Sequence, residues 1–305
     1  MNVAVTVKGL TRTFGQFKAV DDIDLTVTRG EVFGFLGPNG AGKSTTIRML
    51  CGLLLPSAGT GTVQGFDIMT QSEEIKKNIG YMSQKFSLYD DLTIEENIDF
   101  FSGIYGVPDS KKNERKEWVL DMAGITDKRT SITRTMASGF KQRLALGCAV
   151  IHEPPIIFLD EPTSGVDPIS RRRFWNLIYD MSSKGTTVFV TTHYLDEAEY
   201  CDRLALIYRG KIIAEGRPDI MKKKYMHKDI LEISVSRIIE ALDVLGKGGF
   251  DAALFGSVIH ATVDNAASAT PRIRSLLDSA HIEISDIAQI RPSLEDVFVS
   301  LIEVS

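Results

Sequence analysis

Gly37-Pro38-Asn39-Gly40-Ala41-Gly42-Lys43-Ser44 is the stretch on which the reading of this 305-residue chain turns. It fits the pattern G-x-x-x-x-G-K-[S/T] at each fixed position. The physics asks for these residue types. Glycines let successive backbone N–H groups point inward around phosphate oxygens, and the start of a helix adds its dipole. Lys43 supplies a point charge for the β- and γ-phosphates, and the Ser44 hydroxyl, followed by Thr45, can reach Mg²⁺. The flanks agree with this reading. Glu31 to Leu36 is a short apolar run that predicts a buried strand, and Ser44 to Leu54 carries apolar residues at helical spacing. Strand, glycine loop and helix make the βα unit of an open α/β sheet.

Working outward, Ile156-Ile157-Phe158-Leu159 predicts a second buried strand, and it ends on Asp160-Glu161. Asp160 at that strand end can hold Mg²⁺, directly or through water. Its neighbour Glu161 can orient and deprotonate an attacking water. Further strands are expected at 187–190 and 204–207, separated by helices at about 168–183 and 194–201, so this part of the sheet should be largely parallel. Nearer the start, Val3–Val7 and Asp24–Thr28 alternate as strands. Ile94 to Tyr105, Glu114 to Ala123 and Gly139 to His152 read as helices, a helical block between two sheet-forming halves.

Composition restricts the function classes. Hydrophobic residues make up 43% and charged residues 25%, which is ordinary for a globular chain, and the net charge of −5 gives no basic field for nucleic acid. Cys51, Cys148 and Cys201 are too scattered for a disulfide framework, so a reducing compartment is expected. The start, Met1-Asn2-Val3, does not read as a signal peptide. The longest uncharged stretch, Met49 to Phe66, contains Pro56 and four glycines, which suits no membrane helix. Acidity is concentrated late: Lys228 to Ser305 carries 6 Lys+Arg against 12 Asp+Glu. Past Lys222-Lys223-Lys224 the pattern becomes strand (230–235), helix (236–246), two strands (250–263), helix (269–280), strand (282–290) and a last helix from Ser293. That order suggests a small α+β unit of βαββαβ type. The basic runs 171–173 and 222–224 read as solvated helix faces.

Taken together, residues 3–224 resemble the ATP-binding subunit of an ATP-binding-cassette (ABC) transporter. The resemblance implies an α/β P-loop NTPase cassette over 1–226 with an inserted helical subdomain at about 87–153, and an accessory α+β domain over 227–305. It implies ATP and Mg²⁺ as ligands. Phe14, before Gly15, stands where the family stacks an aromatic on adenine. Gln84 in Tyr81-Met82-Ser83-Gln84 matches the glutamine that senses Mg²⁺ and γ-phosphate and faces the membrane partner. Ser164-Gly165-Val166-Asp167 matches the D-loop, and His193, after Thr191-Thr192, matches the switch histidine.

One motif departs from the family. The signature, close to L-S-G-G-Q, corresponds here to Met136-Ala137-Ser138-Gly139-Phe140, followed by Lys141-Gln142-Arg143. Ala137 stands at the serine position and has no hydroxyl for a γ-phosphate. Gly139, backbone N–H groups and a helix start remain, with Ser138 as a substitute if the loop shifts by one residue. The tail resembles the C-terminal extension of ABC-2-type exporter ATPases through Arg291-Pro292-Ser293-Leu294-Glu295-Asp296-Val297-Phe298. The resemblance implies a catalytic Glu161, a second cassette as homo- or heterodimer partner, and a separate integral-membrane permease of ABC-2 type. The chain would then work at the cytoplasmic face of the membrane. A different class, a soluble ABC ATPase acting on ribosomes or DNA, is opposed by the single cassette, the acidic tail and the lack of sustained heptads.

Overall fold

The computed structural model describes residues 2–84, 88–225, 228–290 and 292–303. Contacts divide the chain into two compact units, Met1–Pro218 and Asp219–Ser305. In chain order the first contains β1 (Val3–Phe14), β2 (Phe17–Thr28), β3 (Val32–Leu36), α1 (Lys43–Leu50), β4 (Ala58–Val63), β5 (Phe66–Asp67), α2 (Ser72–Lys77) and β6 (Ile79–Met82). It continues with α3 (Ile94–Ile104), α4 (Asp109–Ala123), α5 (Ser138–Ala149), β7 (Ile156–Asp160), α6 (Pro168–Ser183), β8 (Thr187–Thr192), β9 (Arg203–Tyr208) and β10 (Lys211–Gly216).

The main sheet has six strands in the order β10-β9-β3-β8-β7-β6, parallel except for β10, which runs antiparallel to β9. β3, β7 and β8 are buried at every residue, which accounts for their continuous apolar runs. A second, antiparallel sheet, β2-β1-β4-β5, supplies the other side of one core, in which Val5, Leu10, Val20, Phe35, Ile47 and Phe158 pack together.

The expected strands Val3–Val7 and Asp24–Thr28 belong to much longer ones, and β4 and β5 were not expected at all. β4 runs through Gly59 and Gly61, where a Cβ would lie 2.4 Å from Gly9 O and 2.5 Å from Thr6 O. Close backbone approach demands glycine there and so erases the side-chain alternation that marks a strand. The stretch expected as a helix at 194–201 is a 3₁₀ turn, Leu195–Tyr200, closed by bonds such as Glu197 N–H to Tyr194 O at 3.2 Å.

The helical block packs α3, α4 and α5 around Ile94, Ile98, Val119, Leu120, Leu144 and Cys148. Residue 87, where the block was expected to begin, lies outside the described residues. α4 starts five residues before the expected Glu114, because Pro108 and Asp109 open it through a polar stretch without apolar periodicity. α5 ends at Ala149, and His152 beyond it stacks on Tyr105 with ring centroids 4.0 Å apart. His152 Nε2 lies 3.1 Å from Ile79 O, so this nitrogen carries the proton and donates. Burial pushes its pKa down to about 4, against the carbonyl bond that raises it. Below pH 6.5 the unfolded chain takes up a proton that the folded chain refuses until about 4, so stability falls with falling pH across that window. The share of His152, allowing for its partial exposure, is about 2–3 kcal/mol. His152→Gln should flatten this part of the pH dependence in urea titrations at pH 7 and pH 4.5; equal slopes in both proteins would refute the assignment.

The second unit comprises most of α7 (Pro218–Tyr225), then β11 (Asp229–Val235), α8 (Ile238–Lys247), β12 (Asp251–Phe255), β13 (Val258–Val263), α9 (Ala266–Ser279), β14 (Ile284–Ile290) and α10 (Leu294–Glu303). Its antiparallel sheet is ordered β12-β13-β11-β14, the arrangement of a βαββαβ unit, with α8 and α9 packed on Leu231, Ile233, Ile259 and Ala261. The expected boundary at 226/227 falls on Met226 and His227, outside the described residues, as does Arg291. The contact division comes earlier, within α7, and Lys222-Lys223-Lys224 forms the last turn of that helix, where cations suit the helix dipole. α10 opens with a reciprocal cap. Ser293 N–H and Oγ donate to Asp296 Oδ2 at 2.7 Å, and Asp296 N–H returns a bond to Ser293 Oγ at 3.1 Å.

Candidate nucleotide site

β3, β8 and β7 lie side by side, with Leu36 opposite Thr192 and Thr191 opposite Asp160. The carboxyl ends of these three strands therefore deliver the glycine loop, His193 and the Asp160-Glu161 pair to one edge of the sheet, where open α/β sheets bind ligands. Gly42 has φ 112° and a Cβ there would lie 2.4 Å from Ala19 O, so only glycine lets the loop turn into α1. Gly37 is equally confined, against Ile207 O at 2.2 Å.

A cleft of about 410 Å³ opens over this edge, lined by Phe14, Phe17, Ala19, Asn39, Gly40, Gly42, Lys43, Ser44, Thr45, Gln84 and Glu161. Gly37, Pro38 and Ala41 do not line it. Ala41 is in the core, while the carbonyls of Gly37 and Pro38 accept from Lys43 Nζ at 2.7 and 3.2 Å. Lys43 is also paired with Glu161 Oε1 at 3.1 Å, both side chains being buried. Glu161 Oε2 accepts from Gln84 Nε2 at 3.0 Å and lies 3.2 Å from His193 Nδ1. One carboxylate thus gathers the lysine, the glutamine and the histidine. Glu161 sits at φ 49°, a strained conformation for a non-glycine residue. Its N–H is held by Thr191 Oγ1 at 3.0 Å and Thr191 O at 3.1 Å.

Asp160 Oδ1 accepts from Ser44 Oγ at 3.0 Å and from Thr191 Oγ1 at 2.8 Å. Burial raises its carboxyl above the usual range, against those two hydroxyls, which lower it. A buried carboxylate beside a serine hydroxyl is a hard-oxygen donor set, and it fits Mg²⁺. Phe14 is backed by the Arg12 guanidinium, 4.6 Å from its ring centroid, and Arg12 Nη1 donates to Leu55 O at 2.8 Å.

Ser138, Gly139 and Asp167 lie off this cleft. Asp167 caps α6 by accepting from Ser170 N–H at 2.9 Å, and a Cβ on Gly139 would fall 2.6 Å from Ser170 Oγ. Ala137 is the N-cap of α5, at φ −65° and ψ 150°, with no side-chain acceptor to offer. Ala137→Ser should therefore stabilise the chain by about 0.5–2 kcal/mol in chemical denaturation; no gain would mean that the hydroxyl turns away from the helix start.

Sequence reading missed Phe17, Thr191 and Arg171. The pair Thr191-Thr192 at the end of the apolar run Val188–Val190, just before His193, was the available signal for Thr191. Arg171 corrects the reading of 171–173 as a solvated face. Its side chain is only 19% exposed, 3.4 Å from the buried Glu197 and 3.3 Å from Asp196.

The family model for ABC transporters matches residues 20–164. The chain is 53% identical over 218 residues to the probable multidrug ABC transporter ATP-binding protein YbhF of Escherichia coli, covering 72% of this chain but only 38% of that protein. It is 35% identical over 307 residues to the daunorubicin/doxorubicin resistance ATP-binding protein DrrA of Streptomyces peucetius, covering 98% of this chain and 92% of the other. The chain belongs to the ABC transporter ATP-binding proteins. The DrrA match covers nearly all of this ABC protein and so takes in both units. Among solved structures, the dimeric cassette MJ0796, described in a post-hydrolysis state with ADP and Pi, superimposes with a TM-score of 0.64 at 26% identity, covering 70% of this chain and 98% of that one. The family model stops at residue 164, so His193 and Asp167 rest on geometry and motif order.

Proposed function

We propose that this chain binds and hydrolyses ATP to drive a separate membrane permease of ABC-2 type in the export of small molecules. The observation that carries the proposal is the Lys43–Glu161–Gln84–His193 cluster at the mouth of the phosphate loop. The loop N–H groups, Lys43, Ser44 and Thr45 bind the phosphates, and Phe14 stacks on the base. Glu161 then takes the proton of the water whose oxygen attacks the γ-phosphorus, while the bond to the bridging oxygen breaks and ADP leaves. His193 and Gln84 hold the Glu161 carboxylate and the water in line. Ser44, Gln84 and Asp160 would hold Mg²⁺, which would supply charge neutralisation to the phosphates.

The names of the relatives, multidrug and daunorubicin/doxorubicin resistance, support export. The dimeric MJ0796 cassette supports a second cassette as partner, its site completed by Ser138, Gly139 and Asp167 of this chain. Among the described residues no helix is long and apolar enough to cross a membrane. This accords with a permease on another chain and with a place at the cytoplasmic face. Tyr89, Phe100 and Ile104 are 49%, 37% and 61% exposed and follow Gln84 in the chain; this apolar patch is the seat we assign to the permease. The test is Mg²⁺-dependent phosphate release by the chain co-expressed with its permease, together with co-purification from detergent-solubilised membranes. Co-sedimentation with ribosomes and no association with a polytopic membrane protein would overturn it in favour of a soluble ABC ATPase.

A further inference from the structure

His193 is held on one side by Glu161; on the other it meets a stack that no motif accounts for. The Tyr194 ring lies 4.1 Å from the His193 ring, centroid to centroid, tilted by 38°. The Arg171 guanidinium caps Tyr194 from α6, 4.2 Å from the ring centroid. Arg171 is itself anchored. Its Nε lies 3.4 Å from Glu197 Oε1, its Nη1 donates to Asp196 Oδ2 at 3.3 Å, and its N–H bonds Asp167 O at 2.9 Å.

Glu197 is fully buried, and the same Oε1 accepts from Thr163 Oγ1 at 2.5 Å. Thr163 O in turn closes the turn after Glu161 by accepting from Val166 N–H at 3.2 Å. A carboxylate taken wholly out of water needs a partner to stay there. Here Oε1 faces both the loop that leaves Glu161 and the arginine that carries Tyr194, at hydrogen-bond distance from Thr163 and ion-pair distance from Arg171, while Oε2 makes no hydrogen bond.

We infer that Tyr194 and Arg171, anchored by Glu197, are positioning residues that fix the His193 imidazole against Glu161 during ATP hydrolysis. The inference rests on the hydrolytic reading given above. A histidine on a loop has free rotation about two bonds, and a small misplacement of a group acting on the reacting atoms costs orders of magnitude in rate. The stack removes that freedom, with the cation–π contact giving Tyr194 a preferred seat.

The test compares Tyr194→Leu, Tyr194→Phe and Arg171→Gln in the full chain, reading kcat, KM for ATP and the His193 ring signals by NMR. Tyr194→Leu should lower kcat by roughly tenfold or more with KM within about twofold, and Tyr194→Phe should restore most of the loss. Arg171→Gln should cost a smaller factor, and its effect should vanish in the Tyr194→Leu background. The His193 ring signals should shift in Tyr194→Leu and not in Tyr194→Phe. Unchanged kcat in Tyr194→Leu, equal losses in Leu and Phe variants, or a His193 signal indifferent to residue 194 would overturn the inference. A wild-type chain without ATPase activity would instead overturn the hydrolytic reading, and the NMR comparison would still decide this one.

Discussion

Glu161→Gln should leave ATP binding close to that of the wild type and lower turnover by roughly 10²–10⁴-fold, the range of a positioned general base. The amide keeps the shape and one hydrogen-bonding oxygen, so a water can still be held, but it cannot take the proton. The structure adds a reason for unimpaired binding. The Glu161 carboxylate has three polar neighbours, Lys43 at 3.1 Å, Gln84 at 3.0 Å and His193 at 3.2 Å. Lys43 must turn from Glu161 to the phosphates when ATP enters, and with glutamine at 161 it turns from a neutral group. Affinity should therefore stay level or rise while hydrolysis stops, and on the proposed mechanism an ATP-bound dimer should accumulate. Phosphate release under single-turnover conditions and sedimentation with ATP and Mg²⁺ check both halves. Hydrolysis at near wild-type rate would remove Glu161 from its assigned role.

Lys43→Ala acts on the same pair from the other side and has two separable effects. It removes the cation from the phosphates, a loss on the order of 10²-fold in ATP affinity for one charge-assisted contact. It also strands a buried carboxylate, since Glu161 is only 6% exposed, and breaking such a pair costs about 3–5 kcal/mol of stability. The double variant Lys43→Ala, Glu161→Gln separates the two: it should regain most of the stability and none of the affinity. Calorimetric titration with ATP and thermal denaturation of the three variants measure this. Unchanged ATP binding in Lys43→Ala would refute the phosphate loop, and a double variant no more stable than the single one would refute the buried pair.

These two residues mark where the sequence was legible and where it was not. The phosphate loop, the strand before it and the helix after it are one contiguous stretch, and each fixed residue answers a local demand of the backbone or of a phosphate. Asp160, Gln84 and His193 were placed by their order around that loop. What pairs with what was not legible. The union of Lys43, Gln84 and His193 on Glu161 depends on β7 lying between β6 and β8, which a strand-by-strand reading cannot order. β4 escaped because its glycines answer to Gly9 and Thr6 across the sheet. α4 began unseen for the opposite reason, its first turns being polar all round. Arg171 looked like one of three solvated arginines, and only the fold reveals that it alone points at a buried carboxylate.

The close contact between Gly139 and Ser170 bears on how this sequence can drift over time. Ala137 and Ser138 are both exposed, so substitutions there alter a helix cap or the phosphate contact proposed for Ser138 and leave the packing intact. Position 139 is closed, because a Cβ there would lie 2.6 Å from Ser170 Oγ in the first turn of α6, the helix that Asp167 caps. Positions 137 and 138 therefore tolerate a change of side chain without repacking, whereas a change at 139 has to displace Ser170.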